Sequence, residues 1–248
     1  GELGLRQSEA LFQHVKRLPE VLEHLALPTG TISAVGASTR PRAVEGSYMP
    51  CFLAGESLGR SLSKVLGVPF YSFSHQQGHI AAVCYSAGML SLMEAPMLAW
   101  HLSGGTTELL HVLPGLHAEK IGGTEDLSAG QLIDRTGQLL KLDFPAGKEL
   151  DALAGHMEEK PFPVKVRDSR FSLSGMENQM RTRHQSGASR EQIAAFVLST
   201  IVRAVKTSTE QALHQFGDLP VVFTGGVSSN SRLRQAMEPL DGIFGSPQ

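Results

Sequence analysis

Residues 102–108 read Leu-Ser-Gly-Gly-Thr-Thr-Glu and lie between two apolar runs, at 97–102 and 108–113. Each run has the length of a strand, and the paired glycines between them favour a tight turn, so the sequence predicts a β-hairpin. A turn of this kind presents backbone N–H groups, which can bind a phosphate because a group of N–H donors stabilises an anion. The alternative is an ordinary glycine hairpin that binds no ligand.

A second glycine turn follows a predicted strand near the other end of the chain. Residues 224–230 read Thr-Gly-Gly-Val-Ser-Ser-Asn, after the apolar run 221–223 and before a predicted helix. Glycines here let a base or a ribose approach the backbone, and the N-terminus of a helix favours an anion. Asn230 is also a suitable N-cap residue, and the two roles are compatible.

The other segments alternate between helical and extended patterns, which indicates an α/β fold with mixed sheets flanked by helices. Helices are predicted at 7–26, 52–66, 75–93, 126–142, 191–215 and after Asn230, and strands at 32–36, 68–72, 97–102, 108–113 and 219–224. Residues 38–50 and 158–190 are predicted to be irregular. A change of composition near residues 94–96 predicts two lobes, at 1–94 and 95–248.

Composition excludes several classes of protein. The chain has 248 residues, of which 41% are hydrophobic, so it can bury a large core and is too apolar for a disordered chain. Its two cysteines exclude a disulfide framework and a four-cysteine zinc site. No apolar run reaches the roughly 18 residues of a membrane span, and no signal peptide opens the chain. We therefore expect a cytoplasmic protein that does not bind membranes, and we expect both ends to be incomplete.

Two histidines, His75 and His79, are four residues apart in a predicted helix. That spacing places both on one face, about 6 Å apart, from which both imidazoles can reach one metal ion. Surface or capping histidines are the alternative. Metallopeptidases with such a pair need a glutamate directly after the first histidine as general base, whereas Gln76 stands there and cannot accept a proton.

A further set of polar and glycine residues lies before, within and after the helix predicted at 126–142. Residues 122–126 read Gly-Gly-Thr-Glu-Asp, Asp134 lies among apolar neighbours, and Phe-Pro-Ala-Gly at 144–147 leads to Asp151. An acid among apolar neighbours in a helix either turns to solvent or points into a cleft.

Together these motifs resemble the actin-like ATPase (ASKHA) superfamily and, within it, the TsaD-type tRNA threonylcarbamoyladenosine transferase family, formerly described as O-sialoglycoprotein endopeptidase or glycoprotease. The resemblance extends over nearly the whole chain and implies a two-lobed α/β fold. It rests on His75 and His79 and on the segments 103–107, 130–134, 145–147, 171–175 and 225–230.

The resemblance also implies the ligands. His75 and His79 would hold one Fe or Zn ion. The family's third ligand, an aspartate, would lie just after residues 246–247, where this sequence ends, so we expect weak or absent metal binding. An adenine nucleotide (threonylcarbamoyl-AMP, AMP, ADP or ATP) would contact Ser103, Gly104, Gly105, Thr106, Thr107, Asp134, Gly147, Asp151, Gly226 and Asn230.

The implied reaction moves threonylcarbamoyl from threonylcarbamoyl-AMP to the exocyclic amine of the adenosine 3′ of the tRNA anticodon, without a covalent protein nucleophile. Three loops depart from the family's pattern: Thr106 replaces a histidine, residues 40–46 replace a Gly-Pro-Gly loop, and residues 176–179 replace a lysine-bearing segment. The departures suggest a divergent paralogue and leave open a non-catalytic nucleotide-binding or scaffold protein. A metallopeptidase is less favoured because of Gln76.

The implied partners are tRNA and, through the first lobe, a smaller actin-like paralogue or a second copy of the chain. The leucines at 11–25 could form that contact, with core packing as the alternative. The net charge of −2 gives no general attraction to nucleic acid, but residues 160–190 hold seven basic and two acidic side chains. A basic patch is typical of RNA binding, and a solvated irregular segment is the alternative. The expected RNA contacts are Lys165, Arg167, Arg170, Arg181 and Arg183.

Overall fold

The computed structural model describes residues 6–24 and 32–245. The helices are α1 (Gln7–His24), α2 (Phe52–Leu66), α3 (His75–Ser86), α4 (Ala129–Leu139), α5 (Gly147–Ala154), α6 (Ser174–Gln185), α7 (Arg190–Phe216) and α8 (Ser231–Met237). The strands are β1 (Val35–Arg40), β2 (Phe70–Ser74), β3 (Met97–Leu102), β4 (Thr107–Leu113), β5 (His117–Thr124), β6 (Arg170–Phe171), β7 (Val221–Thr224) and β8 (Ile243–Phe244). None of the helices in these two ranges is long and apolar enough to cross a membrane.

The chain divides into two compact units, one up to Gly78 and one from His79 onwards. This division falls inside α3, earlier than the lobe boundary predicted at 94/95. The second part of α3 belongs to the larger unit because Ile80 and Cys84 pack with Met97 of β3 and Val222 of β7. The lobe boundary itself stays a prediction.

In the smaller unit, β1 and β2 form a parallel two-stranded sheet that α2 packs against. Gly59 allows this packing, since a Cβ there would lie 2.7 Å from the Phe70 ring. The helix α1 packs on α2, but none of the described residues of α1 is buried. Leu11 and Leu18 are half-buried, while Val15 is exposed. The leucines at 11–24 are therefore only partly covered, and Leu25 lies outside the described residues.

The larger unit is built on a mixed six-stranded sheet with the order β6-β5-β4-β3-β7-β8. The predicted hairpin is β3 and β4, which pair antiparallel across the glycine turn, and β7 pairs parallel with β3 on the other side. Alternate residues of β3 enter different hydrophobic clusters: Leu98 and Trp100 pack on the α7 side, Met97 and Ala99 on the α3 side. This alternation follows the two-residue period of a strand and explains why β3 is apolar on both faces.

Several boundaries differ from the sequence prediction, each for a structural reason. The strand predicted at 32–36 begins at Val35 and continues through Arg40, because its pairing with β2 extends to Ser74. The helix predicted at 75–93 ends at Ser86, because Gly88 adopts a left-handed conformation (φ 71°).

Other elements were not predicted at all. The strand β5 and the helix α5 have no counterpart in the sequence prediction, and α6 lies in the segment predicted to be irregular. Only Met176 and Met180 of α6 are buried, so the helix shows little amphipathic pattern.

Candidate functional site

A cavity of about 560 Å³ lies in the larger unit, next to the residues that follow β3 and β7. Its size is typical of small-molecule sites. Because β3 and β7 are parallel neighbours, their carboxyl ends share one edge of the sheet, which is where open α/β sheets bind ligands. The lining residues are Gly104, Gly130, Ile133, Asp134, Phe144, Pro145, Gly147, Lys148, Asp151, Gly226, Val227, Ser229 and Asn230.

Six of the predicted nucleotide-binding residues line this cavity: Gly104, Asp134, Gly147, Asp151, Gly226 and Asn230. They come from four separate segments of the chain, which the fold brings together around one cavity. Four other predicted residues, Ser103, Gly105, Thr106 and Thr107, belong to the first glycine turn and are absent from the lining.

The first glycine turn is closed by its own hydrogen bonds. The Ser103 N–H donates to the Thr106 carbonyl (2.8 Å), and the Thr106 N–H donates to Ser103 Oγ (3.2 Å). The start of α4 lies directly on this turn, since a Cβ on Gly130 would be 2.4 Å from the Ser103 carbonyl oxygen. The Ser128 hydroxyl, at the N-cap of α4, donates to the Gly104 carbonyl (2.7 Å). The turn is thus fixed to α4.

Thr107 has a structural role in this arrangement. Its side chain is 1% exposed, and its Oγ1 accepts a hydrogen bond from the Ala129 N–H (2.8 Å). That N–H belongs to the first turn of α4 and has no partner within the helix, so Thr107 satisfies it. Thr107 therefore holds α4 to the hairpin.

The second glycine turn is fixed by Asp151. Its carboxylate accepts hydrogen bonds from Asn230 Nδ2 (2.9 Å), the Ser231 N–H (2.8 Å) and Ser231 Oγ (2.9 Å). Asn230 Oδ1 accepts from the Leu233 N–H (3.0 Å), so Asn230 is the N-cap of α8, as predicted. A carboxylate can only accept, so Asp151 fixes which end of the Asn230 amide faces it.

Asp134 lines the cavity and is half-buried. Its Oδ1 accepts a hydrogen bond from the Ala146 N–H (3.1 Å), and no described residue donates to its Oδ2. Two further lining residues, Phe144 and Lys148, were not among the predicted nucleotide contacts. Both flank the Pro-Ala-Gly segment at 145–147, which was the available signal. Phe144 offers an exposed aromatic ring, and Lys148 a cation.

Of the predicted histidine pair, His75 is the first residue of α3. The helix begins with reciprocal hydrogen bonds: the Gln77 N–H donates to Ser74 Oγ (3.1 Å), and the Ser74 N–H donates to Gln77 Oε1 (2.7 Å). The His75 ring packs at 5.8 Å from the Phe52 ring.

His79 belongs to the larger unit, where its ring lies 5.1 Å from the ring of His101 in an edge-to-face arrangement. His101 is the next-to-last residue of β3 and is paired in register with Thr224 of β7. Its Nδ1 lies 3.4 Å from Thr224 Oγ1, and that hydroxyl donates to the Trp100 carbonyl (3.0 Å). Across residues 6–24 and 32–245, no three His, Cys, Asp or Glu side chains gather closely enough to hold a metal ion.

The predicted RNA-binding residues fall into two groups. Arg181 pairs with Glu177 (2.9 Å), and Arg183 pairs with Glu159 (3.2 Å) and stacks 3.8 Å above the Phe196 ring. The charges of these two arginines are therefore partly compensated. The second group consists of Lys165, Arg167 and Arg170, which are exposed.

The larger unit, with its mixed sheet and the glycine turns at the ends of β3 and β7, has an α/β fold of the actin-like (ASKHA) type. Solved structures of HypF share this fold: full-length HypF in a phosphate- and nucleotide-bound form superposes with a TM-score of 0.68 at 14% identity, covering 92% of this chain and 38% of HypF. HypF from T. kodakarensis gives a TM-score of 0.67 at 14% identity, with 93% and 39% covered.

The sequence comparisons identify the family. The family model described as tRNA N6-adenosine threonylcarbamoyltransferase (TsaD) matches residues 8–246. Curated proteins with that name are 33% identical in Lacticaseibacillus casei (79% of this chain, 60% of the relative) and 33% identical in Carboxydothermus hydrogenoformans (89% and 66%). The chain belongs to the TsaD family. It spans about 60% of the length of the Lacticaseibacillus relative.

Proposed function

We propose that this protein transfers threonylcarbamoyl from threonylcarbamoyl-AMP to the exocyclic amine of the adenosine 3′ of the tRNA anticodon. The observation that carries the proposal is the cavity, in which Gly104, Asp134, Gly147 and Asn230 from separate segments line one volume of small-molecule size. Membership of the TsaD family supports the same reaction.

The AMP part of the donor would occupy the cavity. Asp134 Oδ2 would accept a hydrogen bond from a ribose hydroxyl, and the exposed Phe144 ring would pack on the adenine. Lys148 would offset the charge of the phosphate. Asp151 would act as a positioning residue, since its oxygens already bind Asn230 and Ser231.

The proposed chemistry is an acyl transfer. The adenosine amine attacks the carbamoyl carbon, a C–N bond forms, the bond from that carbon to the phosphate oxygen breaks, and AMP leaves while the amine loses a proton. His75 and His79 would hold Fe or Zn, since both metals favour nitrogen ligands. When bound there, such an ion would supply Lewis-acid polarisation of the carbamoyl carbonyl.

The macromolecular partners are part of the same proposal. The exposed Lys165, Arg167 and Arg170 would contact the phosphates of tRNA. A smaller actin-like paralogue, or a second copy of the chain, would bind α1, which exposes Phe12 and Val15. Apolar side chains exposed on one helix are typical of a surface that another chain covers.

The transfer reaction can be measured directly. We expect the purified protein, incubated with threonylcarbamoyl-AMP, unmodified tRNA and zinc or ferrous iron, to release AMP and to form threonylcarbamoyladenosine, detected by mass spectrometry of the digested tRNA. Reactions without tRNA and without protein are the controls. Binding of AMP without AMP release from the donor would contradict the proposal and favour the non-catalytic alternative.

Substitution of Asp134 tests whether AMP binds in the cavity. We expect Asp134→Ala to weaken AMP binding by roughly 10- to 100-fold, since a hydrogen bond to a charged group contributes about 1.5–3 kcal/mol. Isothermal titration calorimetry with AMP measures the effect. Asp143→Ala is the matched control, because Asp143 is exposed and lies outside the cavity lining. Equal AMP affinity of Asp134→Ala and the unsubstituted protein would exclude this site for the ribose.

A further inference from the structure

We propose that a second cavity of the larger unit, beside α7, binds a phosphate group. This cavity has a volume of about 350 Å³ and lies between α7, α8 and Pro161. It shares no described lining residue with the cavity proposed for AMP. The described residues that line it include three cations, Arg203, Lys206 and Arg232, and no acid. The inference does not depend on the transfer reaction proposed above.

Two of the cations are neighbours on α7. Arg203 and Lys206 are three residues apart, which places them on one face of the helix. Arg203 is exposed and Lys206 is half-buried, and neither side chain forms an ion pair or a hydrogen bond within residues 6–24 and 32–245. Glu210, the nearest acid along the helix, lines a neighbouring cavity. Because like charges at this spacing repel each other, an anion bound between Arg203 and Lys206 would stabilise both.

The third cation, Arg232, is held in place by the backbone. Its Nη2 donates to carbonyl oxygens at and just after the end of α5, those of Ala154 (3.2 Å), Gly155 (3.0 Å) and Met157. Its Nη1 donates to Ser199 Oγ, at the longer distance of 3.4 Å. Its Nε is buried and has no acceptor among the described residues. The guanidinium is therefore fixed beside the cavity, with no carboxylate of the described ranges paired to it.

The composition of the cavity favours phosphate over a nucleoside. Ser199, Thr207 and Gln235 add hydroxyl and amide groups to the three cations. Arginine and lysine side chains are the usual protein partners of phosphate, whose oxygens accept hydrogen bonds from several directions. None of the described lining residues is aromatic, so the cavity offers no ring on which a base could stack. Because Arg203 is exposed, the site is accessible both to free phosphate and to a backbone phosphate of RNA.

Titration calorimetry with inorganic phosphate tests the inference. We expect the double variant Arg203→Gln/Lys206→Gln to bind inorganic phosphate about 10-fold more weakly, because charge-assisted hydrogen bonds are lost. Arg190→Gln is the matched control, since Arg190 is an exposed arginine of α7 outside the cavity lining. Lys148→Gln removes the cation of the other cavity and is expected to keep phosphate binding at this one. Circular dichroism verifies folding, and Lys206→Gln alone replaces the double variant if the latter unfolds.

Binding of a fluorescently labelled uridine oligonucleotide at several salt concentrations identifies the source of the phosphate. For a backbone phosphate, the slope of log affinity against log salt is expected to be smaller in the double variant, by about 0.7 for each cation removed. An unchanged slope with weaker binding of inorganic phosphate assigns the site to free phosphate. The inference is overturned if the double variant equals Arg190→Gln in both measurements, if the unsubstituted protein binds neither probe, or if only Lys148→Gln loses phosphate binding. Neither measurement contains threonylcarbamoyl-AMP, so failure of the proposed transfer reaction leaves both results interpretable.

Discussion

Gly225→Ala is expected to lower the free energy of unfolding by about 3 kcal/mol or more and to abolish AMP binding. Gly225 has a φ of 88° and a ψ of 161°, a conformation that is essentially confined to glycine and costs a residue with a Cβ about 1–3 kcal/mol. Its Cβ would lie 2.3 Å from the Leu102 carbonyl oxygen and 2.7 Å from the Leu102 carbonyl carbon. Both atoms belong to the backbone of β3, which cannot rotate away, so overpacking adds about 1–3 kcal/mol. The displaced backbone would also separate the two glycine turns.

The neighbouring residue provides a matched control. A Cβ on Gly226 would meet no atom within 4 Å, and its φ lies outside the left-handed region. Gly226→Ala is therefore expected to change the free energy of unfolding by less than about 1 kcal/mol. Urea denaturation followed by circular dichroism measures both variants. Similar stabilities of Gly225→Ala and Gly226→Ala would show that the fold can accommodate a Cβ between Gly225 and the Leu102 carbonyl without loss of stability.

Local patterns predicted the elements whose signals are contained in a few adjacent residues. The hairpin of β3 and β4 follows from two apolar runs around paired glycines, and β7 and α8 follow from an apolar run, a glycine turn and an N-cap at Asn230. The resemblance to the family predicted nucleotide contacts, and six of those residues line the cavity, whereas Ser103, Gly105, Thr106 and Thr107 do not. Asp134 of α4 is one of the six, although the sequence alone left it either toward solvent or toward a cleft.

The features that sequence reasoning missed depend on contacts between distant residues. The sequence did not predict that Thr107 accepts a hydrogen bond from the Ala129 N–H in the first turn of α4. The contacts of Asp151 depend on Asn230, which is far away in the sequence. The hydrophobic periodicity of a sequence gives no information on such contacts between distant residues. Likewise, β1 continues to Arg40 only because β2 offers it a parallel partner.

A second large effect is expected at Asp126, which was predicted inside a helix but lies before α4 and joins it to the loop that precedes α6. Its carboxylate accepts hydrogen bonds from the Leu173 N–H (2.8 Å), the Leu127 N–H (2.6 Å) and the hydroxyl of Ser172. We expect Asp126→Asn to lower the free energy of unfolding at pH 7 by about 1–3 kcal/mol, because an amide replaces a charged acceptor.

The pKa of Asp126 predicts how this loss of stability depends on pH. Burial by itself raises the pKa of Asp126, but the hydrogen bonds from Ser172, Ser174, Leu173 and Leu127 outweigh it and hold the pKa well below its ordinary value of 3.8. A lowered pKa in the folded state means that the folded protein binds the proton less tightly than the unfolded chain. The stabilisation is therefore complete above the ordinary pKa and is lost as the pH falls below it.

Urea denaturation at pH 7, 5, 4 and 3 separates this effect from a general loss of packing. The difference in stability between the unsubstituted protein and Asp126→Asn is expected to be constant from pH 7 to pH 5 and to shrink toward pH 3, because the unfolded carboxyl titrates in that range. Glu125→Gln is the matched control, since Glu125 is exposed and only its backbone N–H bonds to the Phe171 carbonyl (2.9 Å). If the difference for Asp126→Asn were the same at pH 3 as at pH 7, the hydrogen bonds could not be what stabilises the ionised carboxylate. The loss would then come from the way the asparagine amide packs and hydrogen-bonds, and not from the charge of the carboxylate.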